Sequence, residues 1–149
     1  MTTKKVDRDA LTEEFPNYDR YPFALCTSKI HGRGVFTLAP LPARRKIGEI
    51  TGRYVRLPKG LRDVERQERI FFVEVNDRWG LDCSVGSYLG HVNHSCAPNC
   101  YLRIVNKRVE CYTLRKIRAN TELTIDYGAT PHRDGMVCIC GAKRCKGKL

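Results

Sequence analysis

A chain of 149 residues with 42% hydrophobic and 29% charged side chains is sized for one domain with a real core, and is too apolar for a disordered segment. No apolar run approaches the length of a membrane span, and Met1 to Asp7 lacks the apolar core of a signal peptide, so the chain is expected to be intracellular, cytoplasmic or nuclear. The formal charge of +11, from 27 basic against 16 acidic residues, favours encounter with polyanions such as nucleic acid or the nucleosome. A generally solvated basic surface accounts for it equally well, because the basic residues are scattered apart from Arg44-Arg45-Lys46 and the tail residues Lys143, Arg144, Lys146 and Lys148.

In chain order, residues 1–20 are polar, show little periodicity and read as a flexible lead-in. From Tyr21 the chain turns into short apolar runs broken by Gly, Pro and Asn. Phe23 to Cys26, Gly34 to Leu38 and Ile47 to Thr51 read as strands. Leu61 to Arg69 is charged and free of proline after Pro58, which predicts a short helix. Ile70 to Val75 and Arg78 to Asp82 predict a hairpin around Asn76-Asp77. Val85 to Val92 predicts one or two helical turns ahead of the polar stretch Asn93 to Cys100. Tyr101 to Val105 and Arg108 to Leu114 flank Asn106-Lys107 as a second hairpin, and Glu122 to Tyr127 reads as a single final strand. The sum is a mainly β domain without internal repeats.

Eight cysteines without a secretory signal argue against a disulfide framework. Cys26, Cys83 and Cys111 sit singly in apolar segments and are expected in the core. Cys138, Cys140 and Cys145 instead form a C-x-C-x4-C run in a tail too short and polar to order itself by hydrophobic burial. Three such thiols can reach one tetrahedral zinc, whose binding would then supply the folding energy, and a closed structural site needs a fourth ligand. A disulfide plus a spare thiol is the alternative, disfavoured by compartment. Cys96 is the attractive fourth ligand, since it would fold the tail over Asn93-His94.

Two further segments carry polar chemistry. Ser28 to Phe36 contains Gly32-Arg33-Gly34 between strands, where backbone without a Cβ can approach a ligand closely. A bulge or tight turn explains a lone Gly-x-Gly equally well, and the third glycine of a dinucleotide fingerprint is missing. Asn93-His94-Ser95-Cys96 offers donors and acceptors suited to fixing a polar ligand, against the plainer reading of an Asn/Ser/Pro turn.

Together with Glu122 to Gly128, these three segments resemble, in order, a SET domain followed by a post-SET zinc tail. The likeness runs from about Tyr21 to the C-terminus and is strongest to histone-lysine methyltransferases of the trithorax type. The resemblance implies a β-clip-like set of small sheets with a C-terminal pseudoknot, in which the Asn-His and Asp-Tyr segments meet. Residues 21–131 would be the SET domain and 132–149 the zinc-binding segment. It implies S-adenosylmethionine as methyl donor, lined by His31, Gly32, Arg33 and Gly34, largely through backbone, with Asn93 and His94 holding its adenine and amino-acid ends. Tyr127 would be the catalytic tyrosine, and Cys96, Cys138, Cys140 and Cys145 would bind one zinc. The substrate would be a lysine of a histone tail or another basic protein, with no membrane partner.

Departures from the family pattern are Gly90-His91 in place of Arg-Phe, Ile70 or Phe71 in place of a tyrosine, and Ile125 before Asp126. They keep open a catalytically inactive SET-like module that binds chromatin or nucleic acid. A tyrosine bonded to backbone at a strand end is the plainer reading of Tyr127, and a turn-stabilising amide that of Asn93. Asp126 is expected to be structural, Glu122 to end a turn and face solvent, and Trp79 to pack in its hairpin.

Overall fold

The computed structural model describes residues 21–57, 72–84, 88–128 and 137–148, together with the backbone of Leu11–Glu14. In chain order the strands are β1 (Leu11–Glu14), β2 (Phe23–Thr27), β3 (Arg33–Thr37), β4 (Lys46–Ile50), β5 (Arg53–Arg56), β6 (Phe72–Glu74), β7 (Trp79–Asp82), β8 (Asn93–His94), β9 (Cys100–Val105), β10 (Arg108–Thr113), β11 (Thr121–Glu122) and β12 (Thr124–Ile125). They form four small sheets, ordered β1-β2-β3-β11, β4-β10-β9, β5-β7-β6 and β12-β8. The last pairing is parallel and the others antiparallel. The mainly β expectation is met: among the described residues the only helical element is a 3-10 turn at Tyr88–His91. No helix among them is long and apolar enough to cross a membrane.

Both predicted hairpins form. Asn76 Oδ1 accepts the backbone N–H groups of Arg78 and Trp79, at 2.9 and 2.8 Å, which turns the chain between β6 and β7. Trp79 packs partly against the core, and Arg56 lies over its ring at 4.9 Å. At the β9–β10 turn Asn106 and Lys107 both take positive φ, 49° and 63°, the conformation that two-residue hairpins demand. The helix expected over 61–69 and the positions Ile70 and Phe71 lie outside the described residues.

Two local expectations need correction, and one strand appears where the sequence suggested none. Leu11–Glu14, inside the segment read as lead-in, pairs with β2. Arg53–Arg56 forms a strand although its arginines hid it, because only one face of an edge strand needs apolar residues. Glu122 to Tyr127 is two strands rather than one: β11 joins β3, and β12 leaves that sheet to lie parallel to β8. Leu123, between them, is fully buried and donates its N–H to Val35 O at 2.8 Å.

The core is built from β2, β3, β4, β10 and the 3-10 turn, with Leu25, Val35, Ile47, Leu89, Val109 and Leu123 all but inaccessible. Cys26, Cys83 and Cys111 are buried in it, as expected. Gly90 has a packing reason: a Cβ there would lie 2.9 Å from both Cβ and O of Cys83, so the 3-10 turn can settle on the Cys83 backbone only without a side chain.

The switch of the chain from β11 to β12 is held by Asn99, which is 6% exposed. Its Nδ2 donates to Glu122 O at 2.8 Å, and its Oδ1 accepts from Thr124 N at 2.9 Å. One side chain thus satisfies both backbone groups that the sheet change would leave unpaired. Asn99→Ala is expected to destabilise the domain by about 2 kcal/mol, through two buried backbone groups losing their partners. Urea unfolding measures this, and an unchanged midpoint would show that Asn99 does not hold the switch.

Candidate functional site

The parallel pairing of β8 with β12 sets Asn93 opposite Thr124 and His94 opposite Ile125, so the Asn-His and Asp-Tyr segments do meet. Ser95 N–H donates to Ile125 O at 3.0 Å, which identifies the edge facing β12. Backbone groups of successive strand residues point to opposite edges. The N–H and C=O of His94 are therefore turned to the other edge of β8, where no strand joins the sheet among the described residues.

Asn93 is 2% exposed, and its side chain looks toward the turn between β2 and β3. Nδ2 donates to the carbonyls of His31 (3.1 Å) and Arg33 (3.2 Å) and to Glu122 Oε1 (2.9 Å). Glu122 Oε1 also accepts Ser28 Oγ–H at 2.8 Å. Glu122 therefore points inward, against the expectation that it faces solvent: two donors, a serine and an amide, are waiting for a carboxylate there. The Cys26 thiol is pushed above its usual range by burial first and by this carboxylate second. A Cβ on Gly34 would meet the Glu122 carboxylate and lie 3.1 Å from Asn93 Nδ2, so the glycine leaves Glu122 the position from which it bonds Ser28 and Asn93. His31 and Gly32 stay exposed on the same turn, Gly32 with φ 47°. The sequence reading offered Asn93 as a turn-stabilising amide without naming its partners, and it missed the Ser28 and Glu122 parts of this linkage. Their signal was a carboxylate directly before the apolar Leu123.

Tyr127 is half-buried against the core. Its N–H donates to His94 Nδ1 at 3.0 Å, its hydroxyl donates to Val92 O at 2.7 Å, and its ring meets the His94 ring edge-on at 5.4 Å. The accepting Nδ1 puts the His94 proton on Nε2, which faces Cys96 Sγ at 3.4 Å. Burial first holds His94 below its ordinary range and keeps it neutral; the Asp126 carboxylate, 3.8 Å from Nδ1, opposes this, and Lys146 reinforces it. Both ring nitrogens are thus engaged within the protein, as is the Asn93 amide. Asp126 accepts Gly128 N–H at 2.9 Å and caps the turn after Tyr127, the structural role expected of it.

The sulfurs of Cys96, Cys138, Cys140 and Cys145 all lie within 4.8 Å of one another. Cys96 Sγ is 3.8 Å from that of Cys138 and 4.0 Å from that of Cys145. A tetrahedron of ~2.3 Å zinc–sulfur bonds has edges of about 3.8 Å, so the spacing fits zinc, and no disulfide joins any pair. Backbone N–H groups point at the sulfurs, from Cys96 and Ala142 to Cys140, from Lys146 to Cys96 and from Gly147 to Cys145. Such donors favour thiolates. Burial opposes ionisation of Cys140, yet the Cys96 and Ala142 N–H groups and the neighbouring thiols outweigh it and bring Cys140 down to about 6. Cys138, where burial dominates, is pushed up to about 12. Among the described residues of this tail the large apolar side chains are exposed, Val137 by 77% and Ile139 by 58%, so hydrophobic burial of these two does not order it.

The SET domain family model matches residues 32–128 of the chain, well over half of it. Among curated proteins, the chain is similar to an H3 lysine-4 specific histone-lysine N-methyltransferase of Eremothecium gossypii, 32% identical over 141 residues, covering 86% of this chain and 14% of that protein. It is also similar to histone-lysine N-methyltransferase SETD1B of Homo sapiens, 26% identical over 157 residues, covering 99% of this chain and 8% of that protein. The chain thus spans about one-seventh or less of the length of these relatives. Among solved structures, KRYPTONITE in complex with mCHH DNA, H3(1-15) peptide and SAH superposes with a TM-score of 0.73 over 89% of this chain and 30% of that one, at 23% identity, and so shares the fold.

Two measurements follow. The purified chain is expected to carry one zinc, and chelation to expose the Cys138, Cys140 and Cys145 thiols to a thiol reagent while leaving Cys26, Cys83 and Cys111 protected; metal analysis giving no zinc would exclude the site. Glu122→Ala is expected to destabilise the fold by about 1 kcal/mol, since half-buried Ser28 loses its carboxylate acceptor and the buried Asn93 amide one of its three acceptors, whereas Glu122→Gln, which keeps an acceptor, should lose less. Equal stability of the two variants would remove the carboxylate from this role.

Proposed function

We propose, from the premise that this chain belongs to the SET-domain family, that it is an S-adenosylmethionine-dependent protein-lysine N-methyltransferase acting on a histone tail or another basic protein, at chromatin. The observation that carries the reading is the meeting of three elements at β8. The glycine turn hangs from Asn93, the Tyr127 hydroxyl reaches back to Val92, and the thiol cluster begins at Cys96. The support from relatives is that proteins similar to this chain over 86% or more of its length are histone-lysine N-methyltransferases.

The residues fit the methyl donor chemically. The His31 and Arg33 carbonyls, held by Asn93 beside the exposed Gly32, present negative backbone dipoles suited to a cationic ligand group. On the open edge of β8, the His94 N–H and C=O form a donor–acceptor pair of the kind that reads a purine edge. His31, Gly32, Arg33 and Gly34 would line the donor through backbone. Asn93 and His94 would hold it through that edge and through the turn they fix, rather than through their engaged side-chain nitrogens. When bound, S-adenosylmethionine supplies the sulfonium methyl group.

Methyl transfer to an amine is an in-line displacement, so the substrate lysine must arrive neutral and aimed. Burial of the amine, and a cation beside it, lower its pKa and let it give its proton to water beforehand. Tyr127 does the aiming. Its hydroxyl proton is committed to Val92 O, so the phenol oxygen faces the substrate only as an acceptor. An acceptor takes an amine N–H and leaves the nitrogen lone pair free for the methyl carbon, whereas a donor would block that lone pair. Orientation of this kind can lower a barrier by ~7–11 kcal/mol in favourable cases. No carboxylate is needed at the amine, and Asp126, turned to the Gly128 N–H, does not trap it as an ammonium.

Cys96, Cys138, Cys140 and Cys145 would hold one structural zinc, whose closed thiolate shell leaves no position for a reacting group. It would join the 137–148 tail to β8 next to His94, whose Nε2–H faces the Cys96 sulfur.

The test incubates the chain with methyl-labelled S-adenosylmethionine and histone H3, followed by mass spectrometry of the lysines. Tyr127→Phe is expected to lower the rate on the order of a hundredfold while costing about 1 kcal/mol of stability for the single lost hydrogen bond. Full activity in the Phe variant would sink the assignment of Tyr127.

A further inference from the structure

The described surface carries a cation cluster that methyl transfer does not use. Residues 41–45 run antiparallel to residues 113–117. Leu41 and Ile117 exchange backbone bonds of 2.8 and 3.0 Å, Arg44 N–H donates to Thr113 O at 3.0 Å, and Thr113 N–H donates to Arg45 O at 2.9 Å. Leu41 and Ile117 are buried, whereas Arg44, Arg45, Arg115, Lys116 and Arg118 are all exposed. Cations some seventy positions apart in sequence are thereby fixed on adjoining backbone.

Nothing in the cluster neutralises them. Residues 38–46 and 113–120 contain no Asp or Glu, and among the described residues none of the five cations forms an ion pair. Their neighbours differ: Lys46 bridges Glu49 and Glu110, and Arg108 bonds Glu49. Arg44 also sits at φ 52°, a left-handed conformation that Gly or Asn adopts more readily, so backbone geometry gives no reason for an arginine there. The cluster is tied to the segment bearing Asn93, His94 and Cys96, because Leu114 N–H donates to Asn99 O at 2.8 Å and Arg115 Nη1 to Pro98 O at 3.3 Å.

We propose that Arg44, Arg45, Arg115, Lys116 and Arg118 form a docking surface for the phosphate backbone of double-stranded DNA. Four of the five are arginines, whose planar fork suits phosphate oxygens. The two segments contain no Phe, Tyr or Trp on which unpaired bases could stack, so single strands are not the fit. They also lack an aromatic anchor of the kind that centres a protein–protein interface. The inference stands apart from methyl transfer, since phosphate binding requires neither cofactor nor Tyr127.

The test is fluorescence anisotropy of the full chain with a short duplex DNA of mixed sequence, across a salt series. The patch variant combines Arg44→Asn, Arg45→Gln, Lys116→Gln and Arg118→Gln. A control variant removes equal charge elsewhere, through Arg53→Gln, Arg56→Gln, Arg78→Gln and Arg103→Gln. The patch variant is expected to bind at least about tenfold more weakly, with the slope of log affinity against log salt reduced by roughly three to four, and the control to change little. Equal weakening in both variants would overturn the proposal in favour of diffuse attraction, and absence of DNA binding by the parent chain would overturn it outright. Unchanged DNA binding in the patch variant, with binding of poly-glutamate lost, would assign the cluster to an acidic protein surface instead. Should the fourfold variant melt early, Arg45→Gln with Lys116→Gln is read by the same slope, with a reduction of roughly two expected and none overturning it.

Discussion

The parallel contact between Asn93–His94 and Thr124–Ile125 is the constraint from which the rest of the molecule is arranged. Each strand is two residues long, far too short to hold by ladder bonds alone, so side chains must complete it. Asn99 does so from one side, taking the backbone of Glu122 and Thr124. Glu122 does so from the other, by drawing Asn93 and Ser28 to its carboxylate. The pairing places the β2–β3 turn, the open edge of β8, the Tyr127 hydroxyl and the first cysteine of the thiol cluster around a single short strand.

Polar groups carry much of this arrangement, which has consequences for its rigidity. A buried amide or carboxylate that loses its partner is penalised more than a surface pair, so the network tolerates few geometries. Gly34 shows how closely the parts are fitted, since the space of its missing Cβ is occupied by Glu122. Gly90 does the same for Cys83. The departure from the family pattern at that position thus has a packing rationale within this chain.

Charge is distributed along the same lines. On the β4–β10 surface, Lys46, Arg108, Glu49 and Glu110 neutralise one another across the strands. On the adjoining 41–45 and 113–118 segments the cations have no such partners among the described residues, so the +11 total is a local field as well as a diffuse one.

Much of the site was legible in the amino-acid sequence. The C-x-C-x4-C tail pointed to a thiol ligand set because thiol chemistry depends on residue type and spacing, whereas Cys96 entered as the fourth ligand that a closed site needs and through the family resemblance. The hairpins at Asn76-Asp77 and Asn106-Lys107 were legible because turn residues act within a few positions. The inward side of Glu122, the division of Glu122 to Tyr127 between two sheets, and strand β5 were not. Each depends on contacts with residues distant in sequence: Ser28 and Asn93 for the carboxylate, Asn99 for the sheet change, β7 for the edge strand. The sequence by itself determined the chemistry available and the local turns. Only the tertiary structure decided which donors the Glu122 carboxylate meets, which edge of β8 stays open and which cations are left unneutralised, because pairing over long separations is set by packing and hydrogen-bond satisfaction rather than by local preference.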